Sequence, residues 1–123
     1  LANICKKLIV IENQKNLLLE LEKNIARLKI YNTEVINSKF ILGCPQDSPY
    51  DVIFIDNPIS ELSDTIKKQL SPHSGKIIMI KKSKDYLCKA LKFTKIEKKL
   101  TSEYLFDVFS KYELYKLKEN FVF

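Results

Sequence analysis

Hydrophobic and polar positions in this chain fall into strand-like runs and helix-like stripes from the first residues onward. Leu1 to Cys5 reads as the last turn of a helix, and Lys7 to Glu12 as a strand built on Leu8-Ile9-Val10-Ile11. The apolar run does not alternate, so it predicts burial on both faces, as in a parallel sheet. Asn13 is a suitable N-cap for a helix over Gln14 to Lys29. Within it Leu17, Leu21, Ile25 and Leu28 share one stripe, with Glu20, Lys23, Asn24 and Arg27 elsewhere. Thr33 to Asn37 predicts a short strand, followed by a loop containing Gly43, Pro45 and Pro49.

Tyr50 to Asp56 is a second buried run that ends in an acid. Asn57-Pro58 supplies cap and first position for a helix, and Leu62, Ile66 and Leu70 continue one face of it. Ser71 to Gly75 stops that helix, and Lys76 to Lys82 forms a third buried strand around Ile77-Ile78-Met79-Ile80. The order strand, helix, strand, strand, helix, strand predicts an α/β fold with parallel crossovers. After Ser83 the pattern changes. Leu91, Phe93, Ile96 and Leu100 sit among lysines, and Tyr104 to Tyr112 mixes aromatic and polar residues. This predicts two long antiparallel strands at the sheet edge, with lysines discouraging edge-to-edge pairing. A helix over Asp85 to Leu91 is the alternative for the first of them. Without internal repeats or a low-complexity linker, the chain reads as one domain or part of one.

Composition narrows the function classes. The 123 residues suffice for one small domain with a core, and 46% hydrophobic content is ordinary for a globular protein. No apolar run approaches the ~20 residues of a membrane helix. Cys5, Cys44 and Cys88 are odd in number and far apart, which predicts reduced thiols and a cytoplasmic protein. One histidine, His73, and no paired cysteine spacing argue against a metal site. The net charge is +6, and the stretch from Lys76 to Leu100 holds nine lysines against Asp85 and Glu97. Of 21 basic residues only Arg27 is arginine, whereas selective phosphate or base readout favours the planar guanidinium. The cluster supports non-specific attraction to nucleic acid and no more.

The chemistry concentrates at strand ends. An acid closing a parallel strand can accept both hydroxyls of a ribose, as Glu12 could. In dinucleotide-binding folds such an acid works with a glycine-rich turn roughly 20 residues upstream. Only Leu1 to Lys7 precede the strand here. Asp56 ends its own strand at the rim where such sheets bind ligands; it reads equally well as a cap for the helix expected near Pro58.

Taken in order, Leu8 to Glu12, Asn32 to Asn37, Leu42-Gly43-Cys44-Pro45 and Pro49 through Ile53 resemble protein-L-isoaspartate O-methyltransferases. Leu70-Ser71-Pro72 and Gly75-Lys76-Ile77-Ile78 are similar to that family's Leu-x-Pro-Gly-Gly turn and fifth strand. Ser102 to Asp107 and Phe121-Val122-Phe123 resemble its alphaproteobacterial branch. The similarity covers essentially the whole chain and corresponds to the family's C-terminal two-thirds. It implies a partial Rossmann-like methyltransferase sheet, from the second strand onward, in the order 3-2-1-4-5-7-6 with an antiparallel edge hairpin. Residues 1–123 would be a single partial domain lacking the first strand and the glycine-rich loop.

The resemblance further implies methyl transfer from S-adenosylmethionine to isoaspartyl carboxylates in damaged proteins, with Glu12 on the cofactor ribose. Partners would be isoaspartyl proteins or peptides and, for this chain, a separate N-terminal fragment. Where many members carry Gly-Asp-Gly, with the acid on the adenine amino group, this chain reads Ser38-Lys39-Phe40. Lys39 falls at that cofactor-binding position, but an ammonium has donors and no acceptor. The alanine-rich stretch followed by Pro-Glu reads Asn57-Pro58-Ile59-Ser60-Glu61. No catalytic residue carries over to any position, and the chain by itself is expected to be inactive. A non-catalytic remnant or interaction module of the same fold is the alternative. An NAD-dependent oxidoreductase is a further one, against which the tail after Lys82 argues.

Overall fold

The computed structural model describes residues 1–111. They form two compact units, Leu1–Cys44 and a second beginning at Pro45. Tyr112 and the Phe121-Val122-Phe123 tail lie outside the described residues.

In the first unit, β1 (Leu8–Glu12) pairs in parallel with β2 (Thr33–Asn37) across the crossover helix α1 (Lys15–Arg27). Both strands stop where predicted, at Glu12 and Asn37, and β1 begins at Leu8, one residue after the predicted start. β1 is half-buried along its whole length, short of the full burial its apolar run predicts. A short 3₁₀ turn over Ala2–Ile4 stands where a last helical turn was expected. The Asn32 side chain ties that turn down, donating to the carbonyls of Ala2 (2.7 Å) and Cys5 (2.9 Å).

Asn13 does not cap α1. The N-cap is Gln14, and its side chain makes no capping bond. Glu12 does the work instead: its Oε1 accepts from the backbone N–H groups of Asn13 (2.9 Å) and Gln14 (3.0 Å). The far end of α1 closes as a Schellman motif, with Lys29 N–H donating to Ala26 and Ile30 N–H to Ile25. Lys29 takes φ 53° there, a conformation natural to glycine.

In the second unit, β3 (Val52–Ile59) runs parallel to β4 (His73–Lys82), with the short helix α2 (Asp64–Lys68) between them in sequence. β5 (Leu87–Ile96) and β6 (Lys99–Phe109) add antiparallel strands, giving the sheet order β3-β4-β5-β6. The core joins one face of β3 and β4 to the α2 segment: Ile55, Ile59, Ile77 and Met79 pack with Leu62, Ile66 and Leu70. On the other face Val52 and Phe54 remain 57% and 52% exposed, so this run is not buried on both sides.

Two expectations need correction. Asn57-Pro58 does not start a helix; β3 continues through it to a fully buried Ile59, with a register shift between Ile55 and Ile59. Proline lacks an N–H and fits where the ladder is already interrupted. The helix begins later, at Asp64, where the Ser63 hydroxyl accepts from Ile66 N–H at 3.2 Å. After Ser83 the strand reading holds over its helical alternative: Asp85 and Tyr86 are turn, and from Leu87 buried Cys88 and Ala90 flank exposed Lys89 at a period of two. Finally, the strand next to β4 is β5, so the implied 5-7-6 order gives way to consecutive pairing. The link between β4 and β5 is a tight turn closed by Ser83 N–H to Leu87 and Leu87 N–H to Lys84. A link this short favours antiparallel neighbours.

Lys95 of β5 reaches the C-terminal end of α2, donating to the carbonyls of Lys67 (3.1 Å) and Leu70 (3.4 Å). In β6 a bulge at Leu105, between the pairs Ala90–Phe106 and Leu91–Tyr104, brings Tyr104 and Asp107 together. The Tyr104 hydroxyl donates to Asp107 at 2.9 Å, and that bond holds the phenol above its ordinary pKa.

Two substitutions test this account. A Cβ on Gly75 would lie 2.5 Å from the Ser71 carbonyl oxygen and 2.9 Å from its nitrogen. Gly75→Ala should therefore cost more than ~2 kcal/mol in denaturant unfolding, because backbone has to move. Lys29→Gly should instead stabilise the chain by about 0.5–1 kcal/mol by relieving the left-handed C′ position.

Candidate functional site

Parallel pairing sets both strands of the first unit pointing the same way, so their carboxyl ends share one edge. Glu12 and Asn37 are register partners at that edge, and Ser38-Lys39 follow immediately. The two sequence-selected residues Glu12 and Lys39 therefore belong to one strand-end region. Asp56 belongs to the second unit.

Glu12 is half-buried and oriented. Its Oε1 is held by two backbone amides at the start of α1, where the helix dipole favours negative charge. No hydrogen bond or ion pair among the described residues engages Oε2. A carboxylate fixed by one oxygen can offer the other to a ribose hydroxyl without first losing side-chain freedom. The residues here fit the sugar of a nucleoside.

Lys39 is exposed and precedes a 3₁₀ turn over Phe40–Leu42. Gly43 follows with φ 62°. The Ser38 hydroxyl lies 3.0 Å from the Gly43 carbonyl and 3.4 Å from that of Lys39, and donating there commits it to the loop. Lys39 does not fit an exocyclic amino group, since donor would face donor.

Asp56 is exposed at the point where regular β3–β4 pairing ends. Its Oδ1 accepts from the Asn57 side-chain amide at 3.0 Å. Its reading as a helix cap fails, because α2 starts at Asp64 and is capped by Ser63. The chain's two glycines, Gly43 and Gly75, lie in a loop and near the start of β4; neither forms a glycine-rich turn after a first strand. No cluster of candidate metal ligands exists among the described residues, nor any helix long and apolar enough to cross a membrane.

Sequence reasoning missed the dual use of Glu12. The signal was present, since an acid just before a helix start can accept orphan N–H groups. It also passed over Ser63-Asp64, a hydroxyl cap followed by a first-turn acid.

An acid at the carboxyl end of a parallel strand, a βαβ crossover and a parallel pair extended by an antiparallel meander define a class I methyltransferase, an S-adenosylmethionine-dependent class in general. A family model described as protein-L-isoaspartate(D-aspartate) O-methyltransferase (PCMT) matches residues 2–109, and the chain belongs to that family. A solved protein-L-isoaspartate O-methyltransferase structure matches with a TM-score of 0.77 at 26% identity, covering 83% of this chain and 32% of that one. The ribosomal RNA small subunit methyltransferase D of Buchnera aphidicola subsp. Acyrthosiphon pisum (strain APS) is 43% identical over 51 residues, 40% of this chain and 27% of that protein. The chain thus spans only 27% and 32% of the length of these two relatives.

Glu12 can be tested for its structural share. Glu12→Ala should lower unfolding stability by about 1 kcal/mol through loss of the helix-start acceptor. Glu12→Gln keeps a carbonyl oxygen for the same amides and should stay within about 0.5 kcal/mol of the parent.

Proposed function

We propose that this chain is the C-terminal part of a protein-L-isoaspartate O-methyltransferase, and that it holds the nucleoside end of S-adenosylmethionine. The carrying observation is Glu12: a carboxylate oriented by the two amides at the start of α1, with Oε2 open at a parallel strand end. The substrates would be isoaspartyl proteins or peptides, and the compartment the cytoplasm. Cys5, Cys44 and Cys88 form no disulfide among the described residues, which supports that compartment. Ser102 to Asp107 supports placement in the alphaproteobacterial branch.

S-adenosylmethionine supplies an electrophilic methyl group when bound. A carboxylate nucleophile is already ionised, so this class of reaction asks for positioning and little proton transfer. Glu12 positions the ribose. Asp56, exposed within β3 where its regular pairing with β4 breaks, is proposed as a second cofactor contact, and no residue of the chain is assigned a catalytic role. The two units are proposed as parts of one domain, which the family match across residues 2–109 supports.

A first strand and glycine-rich turn are proposed to come from elsewhere, as a separate N-terminal fragment. The bond from Leu8 N–H to Asn32 turns Leu8, Val10 and Glu12 toward β2, so the peptide groups of Ile9 and Ile11 face away. The bond from Lys76 N–H to Asp51 likewise leaves those of Val52 and Phe54 facing away from β4. No described strand pairs with either edge.

The test is complementation. Calorimetry of residues 1–123 alone should give no micromolar S-adenosylmethionine binding. Adding the N-terminal segment of an isoaspartyl methyltransferase should restore binding and methyl transfer to an isoaspartyl peptide. Micromolar binding by the chain alone would overturn the need for a fragment. Failure of the mixture would favour the non-catalytic remnant. Label entering ribosomal RNA instead would favour a nucleic-acid substrate, a reading raised by the match to the ribosomal RNA enzyme.

A further inference from the structure

One corner of the second unit gathers cations and aromatic rings that the core does not use. Side chains directly opposite each other on paired strands share a face, as do residues two apart along a strand. Lys81 of β4 is the register partner of Lys89 of β5. Lys89 lies between Leu87 and Leu91, whose partners on β6 are Phe109 and Tyr104. Lys81, Lys89, Tyr104 and Phe109 therefore stand on one face. All four are exposed, Phe109 at 80% and Tyr104 at 54%. Leu87 and Leu91 are four residues apart, roughly 14 Å along the strand, so the two rings are separate platforms.

Like charges directly opposite each other destabilise a sheet, yet no ion pair among the described residues engages Lys81 or Lys89. Asp107 faces Lys89 across the strands, but its Oδ1 accepts the Tyr104 hydroxyl at 2.9 Å and so steadies that ring. At the same end of the sheet Lys111 Nζ lies 5.3 Å from the centroid of the Tyr86 ring. Two unpaired ammonium groups suit an anion, and exposed rings suit flat apolar partners. A nucleic-acid strand supplies both, and its bases are free to stack only when it is single. Lysine adds charge without the planar fork of selective readout, and stacking tolerates any base. We propose that this corner binds single-stranded nucleic acid without sequence preference, bases stacking on Phe109 and Tyr104 and phosphates meeting Lys81 and Lys89. It stands on the second unit alone and is independent of Glu12 and of the cofactor.

The probes are fluorescein-labelled oligouridylate and oligothymidylate of about 12 nucleotides, titrated with residues 1–123 at about 50 mM salt and followed by anisotropy. Phe109→Ala should weaken binding about tenfold, and Phe109→Trp should preserve it. Lys81→Gln and Lys89→Gln should each weaken it about fivefold at this salt and flatten the slope of log affinity against log salt by about 0.7. All three side chains are exposed, so each variant should melt with the parent chain. Binding of either strand with these losses supports the proposal, and the tighter strand names RNA or DNA as the ligand. No anisotropy change with either strand overturns it. So does unchanged affinity in Phe109→Ala, or equal affinity for a duplex of the same length, since charge alone would then account for binding. Displacement by polyglutamate as effective as by unlabelled oligouridylate overturns it in favour of an acidic peptide.

Discussion

A parallel strand turns alternate peptide groups toward each neighbour, so a strand paired on one side satisfies only half of its backbone. That constraint governs both units of this chain. β1 directs Leu8, Val10 and Glu12 at β2 and leaves Ile9 and Ile11 facing the opposite way. Asp51 and, within β3, Ile53 and Ile55 face β4, which leaves Val52 and Phe54. Edge strands normally manage such rows with charge, proline or shortness. β1 and β3 carry isoleucine, valine and phenylalanine at those places, the composition of interior strands. The β6 edge shows the contrast: a bulge at Leu105 and the Lys92–Glu103 pair at 3.0 Å mark a strand shaped to end a sheet.

The same contrast explains what could be read in advance. β1 and β2 end where the apolar pattern ends, because a strand that enters a helix or loop at a polar residue has an unambiguous boundary. β4, β5 and β6 were legible as well: four apolar residues in Ile77 to Ile80, then aromatic and lysine positions alternating. Boundaries failed where two rules competed. Asn57-Pro58 satisfies the chemistry of a helix start, yet Ile59 belongs to the core, and burying it keeps the chain extended for two more residues. The helix then begins at Asp64, behind the weaker-looking cap Ser63. Strand order was taken from the resemblance and not from the residues, and the tight turn at Ser83–Leu87 decided otherwise.

The turn into β4 shows how a motif can persist in altered form. Leu70-Ser71-Pro72-His73-Ser74-Gly75 is one residue longer than Leu-x-Pro-Gly-Gly. The extra length is absorbed as a bulge, since His73 pairs with Ile96 and Gly75 with Lys95, leaving Ser74 unmatched at φ 64°. Gly75 keeps the role that forbids a side chain, packing against Ser71 backbone and Leu70. Ser74 takes the left-handed conformation at a modest strain. Pattern matching found the motif; only register shows which glycine was indispensable.

Glu12 joins fold to function more closely than the sequence suggested. The oxygen that starts α1 also fixes the carboxylate, so the second oxygen is presented without an ordering cost at the moment of binding. The lysines divide on similar grounds. Lys95 is engaged at the C-terminal carbonyls of α2, where cations are favoured, and Lys92 is paired with Glu103. Both belong to the cluster that composition alone would assign to a nucleic-acid patch, yet each has a structural task. Lys39 lies outside that cluster, exposed in the loop that follows β2. The carboxylate that the fold holds ready is the feature that separates this strand end from an ordinary solvated one.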